Sequence, residues 1–160
     1  MSEAASAQLV KTSTLGDELD AQESAVIASV MNVKQLKNEE MLVAEGQSDD
    51  SLFLLARGNL SVISDHGEEH EVVYTMKAGE CAGTRAFVDR SPRKATLQSK
   101  GDSTIYSITP SDFESLLDKY PNIVYKVMRA IFRITHSNLM RMNQEKDQLS
   151  NYINKTHGRY

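Results

Sequence analysis

The sequence is poor in the residues that build disulfide scaffolds, membrane spans and aromatic binding surfaces. It has one cysteine, three prolines and no tryptophan in 160 residues. A single cysteine, Cys81, excludes an intramolecular disulfide. It follows the turn-like AGE of residues 78–80, which points to a packed, inert thiol rather than a redox centre. No apolar run approaches the ~18–20 residues that cross a bilayer. The opening residues MSEAASAQLVKTSTLGDELD lack a basic region followed by an apolar one, so no secretory signal is expected. These absences point to the cytoplasm and away from a membrane. Catalytic patterns are missing too. There is no Walker-type loop and no GxGxxG. No Ser/His/Asp set can be assembled from spacing, and His136 and His157 read as helix-surface residues, so no enzyme is expected. Asp65, His66, Glu68, Glu69, His70 and Glu71 carry metal-capable side chains. Their spacing is not a zinc pattern, and they read as a solvated hairpin tip with no metal.

What is present is ordinary in amount and uneven in placement. Apolar residues make up 40% and charged residues 25%, enough for one globular domain with a core. The net charge of −4 divides into −7 over residues 1–50, −2 over 51–121 and +5 over 122–160. An acidic body with a basic tail can touch nucleic acid or an acidic partner. A solvated helix face is the plainer reading of the same residues.

Residues 1–16 are small and polar and are expected to be mobile. Asp20 with Glu23 three residues on forms an N-cap pair for a helix over about 20–31 carrying Ala25, Val26, Ile27, Ala28, Val30 and Met31. From Val33 the period changes. LKNEEMLVAEG, SLFLLARGNLSVIS, EEHEVVYTMKAGE, KATLQSK and STIYSITP are short runs rich in β-formers, separated by turn chemistry. They predict about eight antiparallel strands, closed or sandwiched. Leu60, Val62 and Ile63 lead into a hairpin with Gly67 at a positive φ. After Thr109, with that residue or Ser111 as cap, a short helix stops before Pro121. Residues 122 to about 153 hold no glycine or proline and predict one long helix. Met128, Phe132, Thr135, Leu139, Met142, Lys146, Leu149 and Ile153 alternate four and three apart, six of the eight apolar. This seam predicts a homodimer through the long helix. A helix folded wholly onto its own domain is the other possibility.

The order helix, strands, short helix, long helix resembles the cyclic-nucleotide-binding domain of the catabolite activator protein and protein kinase A regulatory subunit superfamily. In NEEMLVAEGQSDDSLFLLARGNLSVI, Gly46, Asp50, Leu52, Phe53, Gly58, Leu60 and Val62 fall in register with the family's opening motif. KAGE resembles its P-G-D turn, and TPSDFESLLDKYP the element before its long helix. The resemblance covers about residues 17–153. It implies a mainly β fold with flanking helices, a double-stranded β-helix (jelly roll) over 17–121, and a long C-terminal helix with its tail over 122–160.

The family's phosphate-binding cassette is F-G-E-apolar-A-L, four residues, then P-R-x-A-[TS]-[VL]. Here AGTRAF, four residues and PRKATL align without a gap, and Gly83, Ala86, Pro92, Arg93, Ala95 and Thr96 match. The resemblance implies a cyclic nucleotide or other phosphate-bearing ligand, and no further cofactor. The expected ligand set is Gly83, Thr84, Arg85, Ala86, Arg93, Lys94, Ala95 and Thr96. A helical turn offers free N–H groups to an anion, glycine permits close backbone approach, and Arg93 offers a planar fork to phosphate oxygens. Family members often complete the base contact from the long helix, which implies Asn138 as a base contact here, the alternative being that it faces solvent. Three positions depart from the pattern. Thr84 stands where the family's ribose-binding glutamate does, Arg85 replaces an apolar residue, and Ala82 the leading aromatic. Together Thr84 and Arg85 shift the local formal charge by +2. They predict weak binding of a cyclic mononucleotide, or preference for a more anionic ligand. Arg85 either points to solvent or enters the pocket.

The residues after the long helix, SNYINKTHGRY, are too few for a helix-turn-helix, so direct DNA binding is not expected. The sequence therefore predicts a stand-alone cyclic-nucleotide-binding-like module that signals through its long helix to an unidentified protein partner. The competing expectation is an interaction or scaffold module that keeps the fold without a ligand.

Overall fold

A computed structural model describes residues 3–66 and 69–157. The elements run α1 (Ala7–Thr12), a 3-10 turn (Thr14–Gly16), α2 (Ala21–Ser29), β1 (Asn32–Leu36), β2 (Met41–Val43), β3 (Leu52–His66), β4 (Glu69–Lys77), β5 (Cys81–Ala82), α3 (Thr84–Asp89), β6 (Thr96–Ile108), α4 (Pro110–Glu114) and α5 (Pro121–His157). The strands form one antiparallel sheet built on the long pair β3 and β6. Leu52–Leu55 pairs with Ile105–Ile108, and Leu60–Ile63 with Thr96–Ser99. The register shifts between these stretches, on either side of Arg57. Gly58 sits there at φ 92, and a Cβ on it would lie 2.5 Å from the Asp102 carbonyl oxygen. Only glycine fits so close a crossing in that left-handed conformation. β1 and β5 extend the first half, β2 and β4 the second. This is the jelly roll that the resemblance implies. Among the described residues there are six strands rather than about eight, because RGN bends one strand and does not separate two.

Alternation along β3 explains the unbroken apolar run LFLLA. Leu52, Leu54 and Ala56 join one core cluster, and Phe53 and Leu55 the other. The first cluster seats the helices on the roll through Ile27, Phe113, Ile123, Val127 and Ile131. The second, with Leu36, Leu60, Met76, Leu97 and Ile105, lies between the two halves of the sheet.

The helix boundaries follow their caps. Asp20 accepts from the Glu23 amide at 2.8 Å and the Glu23 carboxylate accepts from the Asp20 amide at 3.1 Å, a complete capping box. Thr109, not Ser111, caps α4. The expected mobile segment differs from the structure. Ser6 caps α1, and Val10 and Leu15 are fully buried against the first cluster. Two well-placed apolar side chains anchor a stretch whose composition is otherwise polar. Gly67, expected at the hairpin tip, lies outside the described residues, and His70 pairs with Asp65 just below it. Cys81 is buried, and desolvation pushes its thiol up to about 12. Among the described residues no group of His, Cys, Asp and Glu is placed to hold a metal, and no helix is long and apolar enough to cross a membrane.

The long helix α5 has two working faces. Ile123, Val124, Val127 and Ile131 are buried against the roll. Lys126 pairs with Glu23 at 2.8 Å, and Arg129 and Arg133 both pair with Glu18 at 3.0 Å. Two guanidiniums on one carboxylate hold Glu18 below the usual glutamate range. The flank beside that buried stripe exposes Tyr125, Met128, Phe132, Leu139 and Met142. Of the predicted seam, Met128, Phe132, Leu139 and Met142 are therefore exposed, with Met128 also lining a groove beside Phe87 and Val124. The side chains at 146, 149 and 153 lie outside those described.

Candidate functional site

Gly83 is the N-cap of α3 at φ 86, and Arg90, at φ 58, ends that helix in the same left-handed region. Two such residues let one turn and a half of helix project between β5 and β6. Thr84 and Ala86 are buried in its first turn, and Phe87 packs edge-on against Phe113 at 5.5 Å. The first N–H groups of any helix have no intrahelical partner. Those of Thr84, Arg85 and Ala86 thus form the amide end of the site.

The returning arm carries Pro92 to Thr96, clamped against the turn after β2. The Gly46 amide donates to the Arg93 carbonyl at 2.8 Å, and the Arg93 amide to the Gln47 carbonyl at 3.0 Å. The Thr96 hydroxyl accepts from the Glu45 amide at 2.9 Å. These bonds draw Arg93 across the mouth of α3. Its Nη1 lies 2.2 Å from the point a Cβ on Gly83 would occupy, so glycine is required there for space as well as for φ.

Arg93 is only 5% exposed, the most buried cation in the described residues. Its Nη2 donates to the Ser51 carbonyl at 2.6 Å and to Asp49 Oδ1 at 3.3 Å. The guanidinium lies over the Phe53 ring, 4.8 Å from its centroid. Nε and Nη1 are buried with no partner. Burial draws the Arg93 pKa below its usual range, opposed by the charge and hydrogen bond of Asp49. Burial raises that of Asp49, but hydrogen bonds from Ser51 and the charge of Arg93 outweigh it and hold the carboxyl below its ordinary value. Three of the five N–H donors of Arg93, on Nε and Nη1, are thus free.

Of the expected set, the fold brings together Gly83, Thr84, Ala86, Arg93 and Thr96, with Ala95 half-buried between the last two. Arg85 and Lys94 are exposed. Of the two orientations open to Arg85, the solvent-facing one is observed, and Thr84 is the one of the two that reaches the interior. Asn138 is half-buried on α5. Spacing alone does not single out Asp49, Ser51 or Phe53 as partners of Arg93. Asp50 fell in register with the motif, yet its neighbour Asp49 makes the contact. Two surface grooves lie elsewhere, one of about 450 Å³ beside Glu23, Val26 and Tyr120 and one of about 260 Å³ beside Phe87, Leu117 and Met128.

Comparison with known proteins bears on the family and the fold. The model of the cyclic nucleotide-binding domain matches residues 33–120. A lysophospholipase NTE1 of Mycosarcoma maydis is 25% identical over 119 residues, covering 74% of this chain and 6% of that protein. A cAMP-dependent protein kinase regulatory subunit of Emericella nidulans is 28% identical over 102 residues, covering 64% of this chain and 24% of that protein. The chain thus spans a minor part of either curated relative. Among solved structures, a cyclic nucleotide-binding domain from Methylobacillus flagellatus superposes with a TM-score of 0.81 at 17% identity, covering 95% of this chain and 88% of the other.

Proposed function

The chain belongs to the cyclic nucleotide-binding domain family, and from that premise we propose that it is a regulatory module that binds a phosphate-bearing nucleotide at Gly83–Thr96. The observation that carries this is the pair of buried donors on Arg93, Nε and Nη1, left without a partner. A buried unsatisfied donor costs about 1–3 kcal/mol. Two phosphate oxygens satisfy both at once through the planar fork, with the amides of α3 beside them. Thr84 supplies a hydroxyl where a carboxylate would accept from ribose, and such a loss weakens binding roughly ten- to a hundredfold. Isothermal titration with cyclic AMP, cyclic GMP and a cyclic dinucleotide tests the site, with micromolar rather than nanomolar dissociation constants expected for the mononucleotides. Absence of heat and of any thermal shift with all three would overturn the proposal.

That outcome would favour the second reading, an interaction module that keeps the fold without a ligand. The observation on its side is the same arginine: its side chain is only 4% exposed, and the grooves described lie away from it.

For output, the exposed face of α5 supports pairing with a second copy of the chain through Met128, Phe132, Leu139 and Met142. The ligand would then act by biasing the position of α5, which requires unequal affinity for the two helix positions. Phe132→Glu places a charge in the middle of that seam. Light scattering should show the unmodified chain at twice the monomer mass and the variant as monomer. A monomeric parent would remove the dimer from the mechanism.

A further inference from the structure

Donors outnumber acceptors where Arg93 meets α3. The Arg93 side chain is only 4% exposed. Its Nη2 is taken by the Ser51 carbonyl and Asp49 Oδ1, while Nε and Nη1 are buried without a partner. Nη1 is aimed at the start of α3, 2.2 Å from the point a Cβ on Gly83 would occupy. Gly83 supplies no side-chain cap there, and no acidic residue stands in the first turn. Thr84, the first residue of the helix, is 9% exposed and brings a hydroxyl that can donate. The negative charge acting on Arg93 comes from Asp49 and Asp50, both on the arm between β2 and β3. Asp49 Oδ1 is already engaged, by Arg93 and by the Ser51 amide at 2.9 Å. Two further cations, Arg85 and Lys94, follow Thr84 and Arg93 in the chain and are exposed at the rim.

We propose that the cassette takes a terminal phosphate, that of a 5′-nucleotide, in preference to the cyclic phosphodiester of the same base. This rests on the nucleotide reading of the cassette and names the phosphate class it accepts. A cyclic phosphodiester has a single charge and two unesterified oxygens, and its ribose hydroxyl seeks an acceptor. A phosphomonoester carries a charge of about −1.5 to −2 at pH 7 and three strong acceptor oxygens. Nε and Nη1 of Arg93, the first amides of α3 and the Thr84 hydroxyl all donate to such a group. A carboxylate at position 84 would accept from the ribose of a cyclic ligand and repel a phosphate dianion. Threonine reverses both effects. Arg85 and Lys94 add an attraction at the rim that grows with the charge of the ligand.

Calorimetric titration of the full chain with 5′-AMP against cyclic AMP, and 5′-GMP against cyclic GMP, reads the preference whichever base is taken. The 5′-nucleotide should bind at least about tenfold more tightly than its cyclic counterpart. Thr84→Glu should invert the order, weakening the 5′-nucleotide about ten- to a hundredfold while strengthening the cyclic one. Thr84→Val keeps the shape of the side chain and loses the donor, so it decides the matter should the glutamate variant not fold. It should weaken the 5′-nucleotide about tenfold or more at an unchanged melting temperature. A cyclic ligand bound as tightly as the linear one, or more tightly, overturns the proposal and leaves the cassette reading standing. A preference for the 5′-nucleotide that survives both Thr84 variants overturns it too. Inorganic phosphate bound as tightly as the 5′-nucleotide makes the cassette an unspecific anion site, and 5′-nucleotide binding that survives Arg93→Ala places the ligand elsewhere. Either result overturns the proposal. If neither linear nor cyclic nucleotides bind, the cassette reading fails, and the choice of phosphate fails with it.

Discussion

Arg93→Met is expected to melt as high as the unmodified chain, or higher, while losing its nucleotide. The arginine is held by two hydrogen bonds of one nitrogen, to Ser51 and Asp49, and by contact with Phe53. Against these stand a buried charge and two buried donors without partners, each donor costing about 1–3 kcal/mol. Methionine is unbranched, fills a similar space and keeps the contact with the ring. Asp49 is 31% exposed, so water can replace the lost cation there. Removing one partner of a fully buried ion pair is destabilising, but the partner left here is Asp49, which water reaches, so its loss of a cation costs little. The expected change is between zero and about 2 kcal/mol in favour of the variant, or up to roughly 6 °C. Binding should fall by more than about a hundredfold, because at least two charge-assisted bonds of about 1.5–3 kcal/mol each are removed. Calorimetric melting with parallel titration reads both quantities. A fall in melting temperature of more than about 5 °C, with affinity intact, would show that Arg93 belongs to the scaffold and not to a site. The reverse pattern, stability gained as function is lost, is what a residue kept for a ligand produces.

The difference between what sequence and structure reveal follows from the range of each interaction. Caps, turn residues and strand alternation are local. The Asp20–Glu23 box, the Thr109 cap and the bounds of α5 could therefore be anticipated within a residue or a few. Gly58 shows the limit: RGN reads as a turn, and only the approach of Asp102 from the paired strand makes it a bend inside β3. Segment 1–16 misleads because two apolar side chains, Val10 and Leu15, decide its order, and they are too few to give a period. In the cassette, spacing picks out Gly83 and Arg93, which the fold sets side by side. Spacing does not tell which of two adjacent carboxylates turns inward, and the fold chose Asp49.

Gly83→Ala is the sharpest probe of the cassette as built, because its cost divides into two parts that can be measured apart. The first part is backbone. At φ 86 an alanine enters the left-handed region, at about 1–2 kcal/mol. The second part is contact. The new Cβ would meet Arg93 Nη1 at 2.2 Å and the Ser51 carbonyl oxygen at 3.0 Å. The end of an arginine usually swings aside at little cost. Here it is pressed on Phe53 and donates to that same Ser51 carbonyl at 2.6 Å, so movement breaks its hydrogen bonds inside the protein. The sum should be about 2–4 kcal/mol, a fall in melting temperature of roughly 5–12 °C. In an Arg93→Ala background the contact with Nη1 is gone and only the backbone part remains. A double-mutant cycle should then show Gly83→Ala costing about 1–2 kcal/mol, a coupling of at least ~1 kcal/mol between the two positions. Equal cost in both backgrounds would mean that Arg93 does not lie against Gly83, and the paired donors offered to a phosphate would have to be sought elsewhere.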